Sequence, residues 1–159
     1  MNIHNKIIVV TGAGSGIGRA LVQRFMTEGA SQVIATDING ASAQATANTV
    51  GCLARQVDVA IEQDIADLIE TTERDVGPID LFCSNAGVAL GPSEQSPTSE
   101  WQISWEINVM AHVYAARHLV PRMISRGGGY LLNTASAAGL LNQIAGAAYG
   151  VSKHAAVGF

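Results

Sequence analysis

The chain has 159 residues, of which 48% are hydrophobic and 14% charged, and its formal net charge is −4. This length predicts one domain with a single core, spanning residues 1–159. The lack of a Lys/Arg cluster argues against nucleic acid or an anionic membrane as partner, and no apolar run reaches the ~20 residues of a membrane span. We therefore expect a cytoplasmic protein that acts on small molecules, with its two cysteines as free thiols.

The first part of the chain alternates between strand-like and helix-like patterns. A β-branched run over 6–11 ends in a cluster of glycines, and apolar residues then recur at helical spacing over 16–29. The run 32–37 predicts a second strand, and the small residues of 41–49 suit a helix packed closely on a sheet. A third strand is predicted over 52–57. These elements predict βαβ units.

The second part of the chain continues the alternation. A helix over 61–76, a strand over 79–84, a long helix over 98–124 and a strand over 130–134 follow in that order. Thr98 or Ser99 can cap the long helix. Strands joined by helical crossovers predict a parallel sheet that binds ligands beyond the carboxyl ends of its strands. The expected fold is therefore α/β, a Rossmann-like doubly wound parallel sheet with about five strands present.

A glycine-rich turn, Thr11 to Gly18, follows the first predicted strand and leads into the first helix. Glycines there let the backbone turn sharply and approach a pyrophosphate at the positive end of the helix. Tight turns also use glycine for purely conformational reasons, so the turn alone is weak evidence. In its βαβ context, five residues are predicted to bind a cofactor: Gly12, Ser15, Gly16, Ile17 and Gly18.

Asp37 ends the second predicted strand. It follows the turn by about 20 residues, the spacing of a carboxylate that accepts hydrogen bonds from the adenosine ribose of a dinucleotide. Its charge would repel the 2′-phosphate of NADP, and no Lys or Arg stands close to it in the sequence to bind that phosphate. The sequence therefore predicts NAD as the cofactor.

The turn resembles the Thr-Gly-x-x-x-Gly-Ile-Gly motif of the short-chain dehydrogenase/reductase family. Asp58-Val59 resembles the pair that ends that family's third strand beside the adenine, and Ser84-Asn85-Ala86-Gly87 resembles the Asn-Asn-Ala-Gly motif that ends its fourth strand. Ser84 departs from the first Asn of that motif. The resemblance implies cofactor contacts for Asp58, Val59, Asn85, Ala86 and Gly87.

Four polar residues resemble the catalytic tetrad of the family. Tyr149 and Lys153 are four residues apart, on one face of a helix, and follow Asn108 and Ser136 in the family's order. The resemblance implies that Tyr149 exchanges a proton with the substrate oxygen and that Ser136 orients this oxygen. Lys153 would bind the nicotinamide ribose and favour the phenolate of Tyr149, and Asn108 would hold a water in a proton relay. Tyr149 and Lys153 are thus also expected at the cofactor.

The expected reaction is hydride transfer between NAD and an alcohol or carbonyl compound. A serine hydrolase is disfavoured because Ser136 lacks the Gly-x-Ser-x-Gly elbow. The spacing of the histidines does not suit a metal site, so no metal is predicted, and each histidine is expected as a surface or core residue. A noncatalytic dinucleotide-binding protein, or an inactive fragment of an enzyme, remains the alternative because a fold does not guarantee activity.

The resemblance also carries expectations about assembly and length. Family members pair the long helix and the helix of the catalytic tyrosine, so a homo-oligomer, dimer or tetramer, is expected. Burial against the chain's own sheet is the plainer explanation of those apolar helix faces. The family continues past this helix with strands beside the fifth, so we expect a domain that is incomplete at its C-terminus and turns over weakly by itself.

Overall fold

The computed structural model describes residues 1–141 and 144–159, along which five strands alternate with six α-helices. The strands are β1 Ile7–Thr11, β2 Gln32–Asp37, β3 Leu53–Gln56, β4 Leu81–Ser84 and β5 Tyr130–Asn133. The helices are α1 Gly16–Thr27, α2 Gly40–Val50, α3 Glu62–Asp75, α4 Thr98–Trp105, α5 Ala111–Ser125 and α6 Ala147–Gly158. A π-helical segment, Glu106–Met110, joins α4 to α5, and a 3₁₀ turn, Ala137–Gly139, follows β5.

The five strands are parallel and lie in the order β3-β2-β1-β4-β5. In the central strand β1, Val10 pairs with Ala35 of β2 on one side and with Cys83 of β4 on the other. The order of the strands reverses beside β1, so the carboxyl ends of β1 and β4 flank a topological switch point. The predicted Rossmann-like α/β fold is confirmed.

Apolar side chains cover both faces of the sheet. Ile8 and Val10 point to one face and Val9 to the other, because side chains alternate along a strand. The first face packs against α1 and α2, and the second packs against α3 and α5. Burial on both faces explains why these strands are continuous apolar runs. Within the described ranges, no helix has the length and apolar character needed to cross a membrane.

The long helix predicted over 98–124 is interrupted by the π-helical segment. Sequence periodicity does not reveal such a segment, because it shifts the register of side chains only locally. The predicted caps are wrong. Pro97 holds the N-cap position, and Thr98 and Ser99 already lie in the first turn of α4. Proline has a fixed φ and no N–H group, so it is tolerated at the start of a helix. Its side chain has no acceptor, so α4 begins without a side-chain cap.

Candidate active site

A pocket of about 640 Å³ opens at the carboxyl ends of the strands, at the switch point beside β1. It is lined by every residue that the sequence assigns to the cofactor and by three of the four assigned to catalysis. These lining residues are Gly12, Ser15, Gly16, Ile17, Gly18, Asp37, Asp58, Val59, Asn85, Ala86, Gly87, Ser136, Tyr149 and Lys153. Asn108, the fourth, lies behind the wall of the pocket.

The glycine-rich turn brings two stretches of backbone into close contact. Gly12 has a φ of 64°, and a Cβ added to it would lie 2.8 Å from the Cα of Ala86. A side chain at this position would therefore push apart the turns that follow β1 and β4. Helix α1 begins at Gly16, and its first N–H groups have no acceptor within the helix. Backbone donors of this kind can bind an anion such as a pyrophosphate.

Thr11 organises this end of the sheet, although no sequence motif singled out its side chain. Its hydroxyl oxygen accepts hydrogen bonds from the backbone N–H groups of Asn85 and Ala86, each at 3.0 Å. The same hydroxyl donates to the carbonyl of Cys83 at 3.3 Å, and the Asn85 amide donates to the Thr11 carbonyl at 3.0 Å. These bonds fix the turn after β4 to the end of β1. The sequence feature that could have indicated this role is the threonine at the first position of the glycine-rich turn.

Asp37 closes the pocket at the end of β2. Its carboxylate oxygens accept hydrogen bonds from the backbone N–H groups of Gly14 and Asn39, both at 2.9 Å. These bonds hold a negative charge against the glycine-rich turn. Asp58, just beyond β3, adds a second carboxylate to the wall. Among the described residues that line the pocket, Lys153 is the only basic one.

Tyr149, Lys153 and Ser136 line the pocket on the side of β5. Tyr149 and Lys153 lie one turn apart on α6, and the Lys153 Nζ is 6.0 Å from the centroid of the Tyr149 ring. Lys153 is only 3% exposed, and burial lowers the pKa of its ammonium group. Ser136 begins the 3₁₀ turn, where its Oγ accepts the N–H of Ala138 at 3.2 Å. That bond uses an oxygen lone pair and leaves the hydroxyl proton for a ligand.

Asn108 is fully buried in the π-helical segment. Its Nδ2 donates to the carbonyl of Val88 at 2.9 Å and to the hydroxyl of Ser152 at 3.0 Å. Its Oδ1 accepts the N–H of Val88 at 3.0 Å. Val88 itself lines the pocket, so the Asn108 side chain positions part of the wall. The water-holding role implied by the resemblance stays a prediction.

His112, near the start of α5, is a buried polar residue of the core. It is 1% exposed, and neither ring nitrogen has a hydrogen-bond partner among the described residues. Burial, together with the charge of Lys153, lowers the pKa of His112 to about 4. The imidazole is therefore neutral at physiological pH. The described part of the chain contains no group of three or more His, Cys, Asp or Glu side chains arranged to bind a metal.

The chain is similar to proteins named as dehydrogenases. The family model described as short chain dehydrogenase matches residues 6–159. The chain is 38% identical to a 1-deoxy-11-beta-hydroxypentalenate dehydrogenase from Streptomyces exfoliatus, over 98% of this chain and 59% of that protein. It is 35% identical to an NAD-dependent glycerol dehydrogenase from Listeria innocua, over 98% of this chain and 62% of that protein.

A solved structure has the same fold. It is a short-chain dehydrogenase/reductase from Burkholderia phymatum in complex with NAD, with a TM-score of 0.94 and 28% identity over 99% of this chain and 58% of that chain. The present chain thus spans about three fifths of the length of these proteins. The NAD complex and the NAD-dependent relative support the predicted cofactor. Because the family model matches nearly all of the sequence, the chain belongs to the short-chain dehydrogenase family.

Proposed function

We propose that the protein carrying this chain is an NAD-dependent oxidoreductase that interconverts an alcohol and a carbonyl compound, with Tyr149 as general acid and base. The observation that carries the proposal is one pocket that contains both the dinucleotide features and Tyr149, Ser136 and Lys153. Hydride transfer to or from an oxygen-bearing carbon needs a cofactor and a proton carrier at the same place. Membership of the family supports this assignment.

The residues of the pocket fit a dinucleotide. We assign the pyrophosphate to the glycine-rich turn, where the close contact at Gly12 leaves room for backbone but not for a side chain. Asp37 would hold the adenosine ribose, Asp58 and Val59 would flank the adenine, and Lys153 would hold the nicotinamide ribose. NAD, when bound, supplies the hydride acceptor. The residues of the chain bind it and move the proton.

Tyr149 carries the proton of the reaction. During alcohol oxidation its phenolate accepts the hydroxyl proton as the hydride leaves the carbon, and during carbonyl reduction its phenol returns that proton. The Ser136 hydroxyl donates a hydrogen bond to the same substrate oxygen, which keeps that oxygen near Tyr149. Lys153 contributes a buried positive charge that favours the phenolate, and its bond to the Thr134 carbonyl keeps the charge in place.

We propose that NAD is preferred over NADP because Asp37 stands where the 2′-phosphate of NADP would lie. The backbone bonds to both carboxylate oxygens hold that charge in position. Lys153 is the only basic residue among the described lining residues, and it bonds to Thr134 beyond β5, whereas Asp37 ends β2 on the other side of β1. A 2′-phosphate would therefore meet repulsion from Asp37, and the described lining residues offer it no basic side chain on that side of the pocket.

The proposed substrate is a small molecule with a hydroxyl or carbonyl group. Val88, Ala89 and Ile107 add apolar side chains to the pocket wall. These side chains favour contact with uncharged carbon atoms of the substrate. The two relatives are named for alcohols as different as glycerol and a hydroxypentalenate, so we propose the reaction type rather than a single compound.

We also propose a homo-oligomer, dimer or tetramer, that pairs the helices α4–α5 and α6 between copies. Ile103 and Trp105 on α4 and Val151 and Val157 on α6 are 43–53% exposed. Burial of these side chains between copies would remove apolar surface from water. Light scattering of the protein tests this proposal, and a monomer at all concentrations would contradict it.

Alcohol-dependent formation of NADH tests the proposed function. A panel of primary, secondary and cyclic alcohols is incubated with NAD, and the absorbance of the reduced nicotinamide is followed. The proposal expects turnover with at least one secondary alcohol. The noncatalytic alternative expects that NAD raises the melting temperature by mass action while no alcohol gives NADH.

A further inference from the structure

Ser152 connects the helix of Tyr149 to the π-helical segment. It lies on α6 between Tyr149 and Lys153 and is only 1% exposed. Its hydroxyl donates to the backbone carbonyl of Tyr149 at 2.8 Å and accepts the Nδ2 of Asn108 at 3.0 Å. Both the proton and a lone pair of this hydroxyl are therefore used within the buried network.

The bond to the Tyr149 carbonyl also makes Ser152 an acceptor for the Asn108 amide. Because the Ser152 proton is committed to that carbonyl, Ser152 can only accept from Asn108, and Asn108 must turn its Nδ2 toward it. The other Nδ2 proton then meets the Val88 carbonyl, and Oδ1 meets the Val88 N–H. An inverted amide would place oxygen against oxygen at the Val88 carbonyl. The Ser152 hydroxyl and the Val88 backbone thus require the same amide orientation, and the Asn108 amide is bonded at both its nitrogen and its oxygen.

This chain of bonds ends at the pocket wall beside the proposed nicotinamide site. Val88 follows Gly87, at which an added Cβ would lie 3.1 Å from the Asn108 Oδ1 and 3.6 Å from the Lys153 Nζ. The position of the pocket wall at Gly87 therefore depends on the positions of the Asn108 and Lys153 side chains. Tyr149 and Val88 are distant in sequence, yet Ser152 and Asn108 link them within the protein interior.

We propose that Ser152 is a positioning residue that, by bonding to Asn108, holds the helix of Tyr149 and the Val88 wall in the geometry that hydride and proton transfer require. The role rests on the proposed function, since it concerns the placement of Tyr149. It differs from that of an ordinary helical serine, which only bonds to a carbonyl of the preceding turn. If Ser152 had only that local role, its loss would leave Val88 unchanged.

The first test measures the coupling without any turnover. Hydrogen exchange of the Val88 amide, by NMR, is compared among the unaltered protein, Ser152→Ala, Ser152→Thr and Ser104→Ala. Ser104 is the matched control, a buried helical serine whose hydroxyl has no partner among the described residues. We expect Ser152→Ala to speed Val88 exchange about tenfold, while Ser152→Thr, which keeps the hydroxyl, and Ser104→Ala leave it unchanged. Unchanged exchange in Ser152→Ala would overturn the proposal.

The second test uses a double-mutant cycle on kcat. We expect Ser152→Ala to lower kcat about tenfold with little change in the Kd of NAD, and Ser152→Thr to restore kcat. In an Asn108→Ala background the same substitution should have no further effect, because Ser152 acts through Asn108. Equal effects in both backgrounds would overturn the proposal. If the unaltered protein turned over no alcohol, the proposed function would fail, and the exchange measurement would still decide the coupling.

Discussion

The Nζ of Lys153 donates a 2.8 Å hydrogen bond to the backbone carbonyl of Thr134, the residue that follows β5. This bond ties α6 to the carboxyl end of the sheet and holds a buried ammonium group in the pocket. Thr134 in turn donates through its hydroxyl to the Oδ1 of Asn85 at 3.1 Å. The proposed proton-transfer end of the pocket is thus joined to the turn that follows β4.

Replacement of Lys153 by Met should damage both binding and chemistry. The substitution keeps a long apolar stem but removes the charge and the bond to Thr134. We expect the Kd of NAD to rise about tenfold and kcat to fall about a hundredfold, since a charge-assisted contact and an electrostatic contribution are both lost. Calorimetric titration and steady-state kinetics measure the two effects. Lys6→Met, which removes a lysine paired with Asp80 at the start of β1, is the control and should leave the Kd of NAD unchanged.

Asp37 can be tested with two substitutions that separate its charge from its hydrogen bonds. Asp37→Asn removes the charge and keeps an oxygen that can accept the Gly14 N–H, whereas Asp37→Ala removes both. We expect each variant to bind NADP at least about tenfold more tightly than the unaltered protein does. Only Asp37→Ala should also weaken the binding of NAD markedly. Equal affinity of the unaltered protein for the two cofactors would contradict the proposed preference.

His112 should make the protein less stable in mild acid. Its pKa is about 4 in the folded protein, whereas an unperturbed histidine has a pKa of 6.5, so between these values the unfolded chain binds a proton that the folded chain excludes. The stability that the protein has with His112 neutral is fully present above the unperturbed pKa, and it is lost as the pH falls toward the pKa of the folded state. From pH 7 to pH 5 the free energy of unfolding should fall by about 2 kcal/mol on account of His112.

The substitution His112→Gln isolates this effect in urea unfolding at both pH values. Between pH 7 and pH 5, the free energy of unfolding of the variant should fall by about 2 kcal/mol less than that of the unaltered protein. His4→Gln, which removes an exposed histidine, should show the same loss as the unaltered protein. An identical pH dependence in His112→Gln would show that the imidazole is not excluded from protonation in the folded state.

Gly12→Ala tests the close contact between the turns after β1 and β4. The added methyl would lie 2.8 Å from the Cα of Ala86, and alanine would have to adopt a φ of 64°, which side chains disfavour. Gly51→Ala is the matched control, because Gly51 has a φ of 72° but no atom within 4 Å of an added Cβ. The free energy of unfolding of both variants should fall by about 1 kcal/mol, because alanine disfavours a left-handed backbone. Only Gly12→Ala should also weaken the binding of NAD. Equal NAD affinity in the two variants would exclude a special role for this contact.

The fold could be predicted because its signals are local. β-branched runs, the glycine-rich turn and helical periodicity indicate strands and helices within short windows, and the rule for parallel sheets then places the ligand site. The contacts that shape the pocket are different in kind. Asn108 and Ser152 are 44 residues apart, and Asn85 and Thr11 are 74 apart, so their hydrogen bonds arise only when the sheet and helices assemble.

Two findings of the structure had no local signal in the sequence. The π-helical segment around Asn108 has the same apolar pattern as an ordinary helix, and the burial of His112 depends on how α5 packs in the folded chain. Motif resemblance predicted Asn108 as a polar residue of the site, but not that its side chain would hold the Val88 backbone. The sequence could name site residues, whereas their partners required the tertiary structure.

The most direct test of the proposed chemistry compares Tyr149→Phe with the unaltered protein in two measurements on the same samples. The substitution keeps the ring and removes only the hydroxyl that carries the proton. Calorimetry should give a Kd of NAD within about twofold of the unaltered value, and alcohol-dependent NADH formation should fall by at least about a hundredfold. NADH formation by Tyr149→Phe at the rate of the unaltered protein would contradict the assignment of Tyr149 as general acid and base.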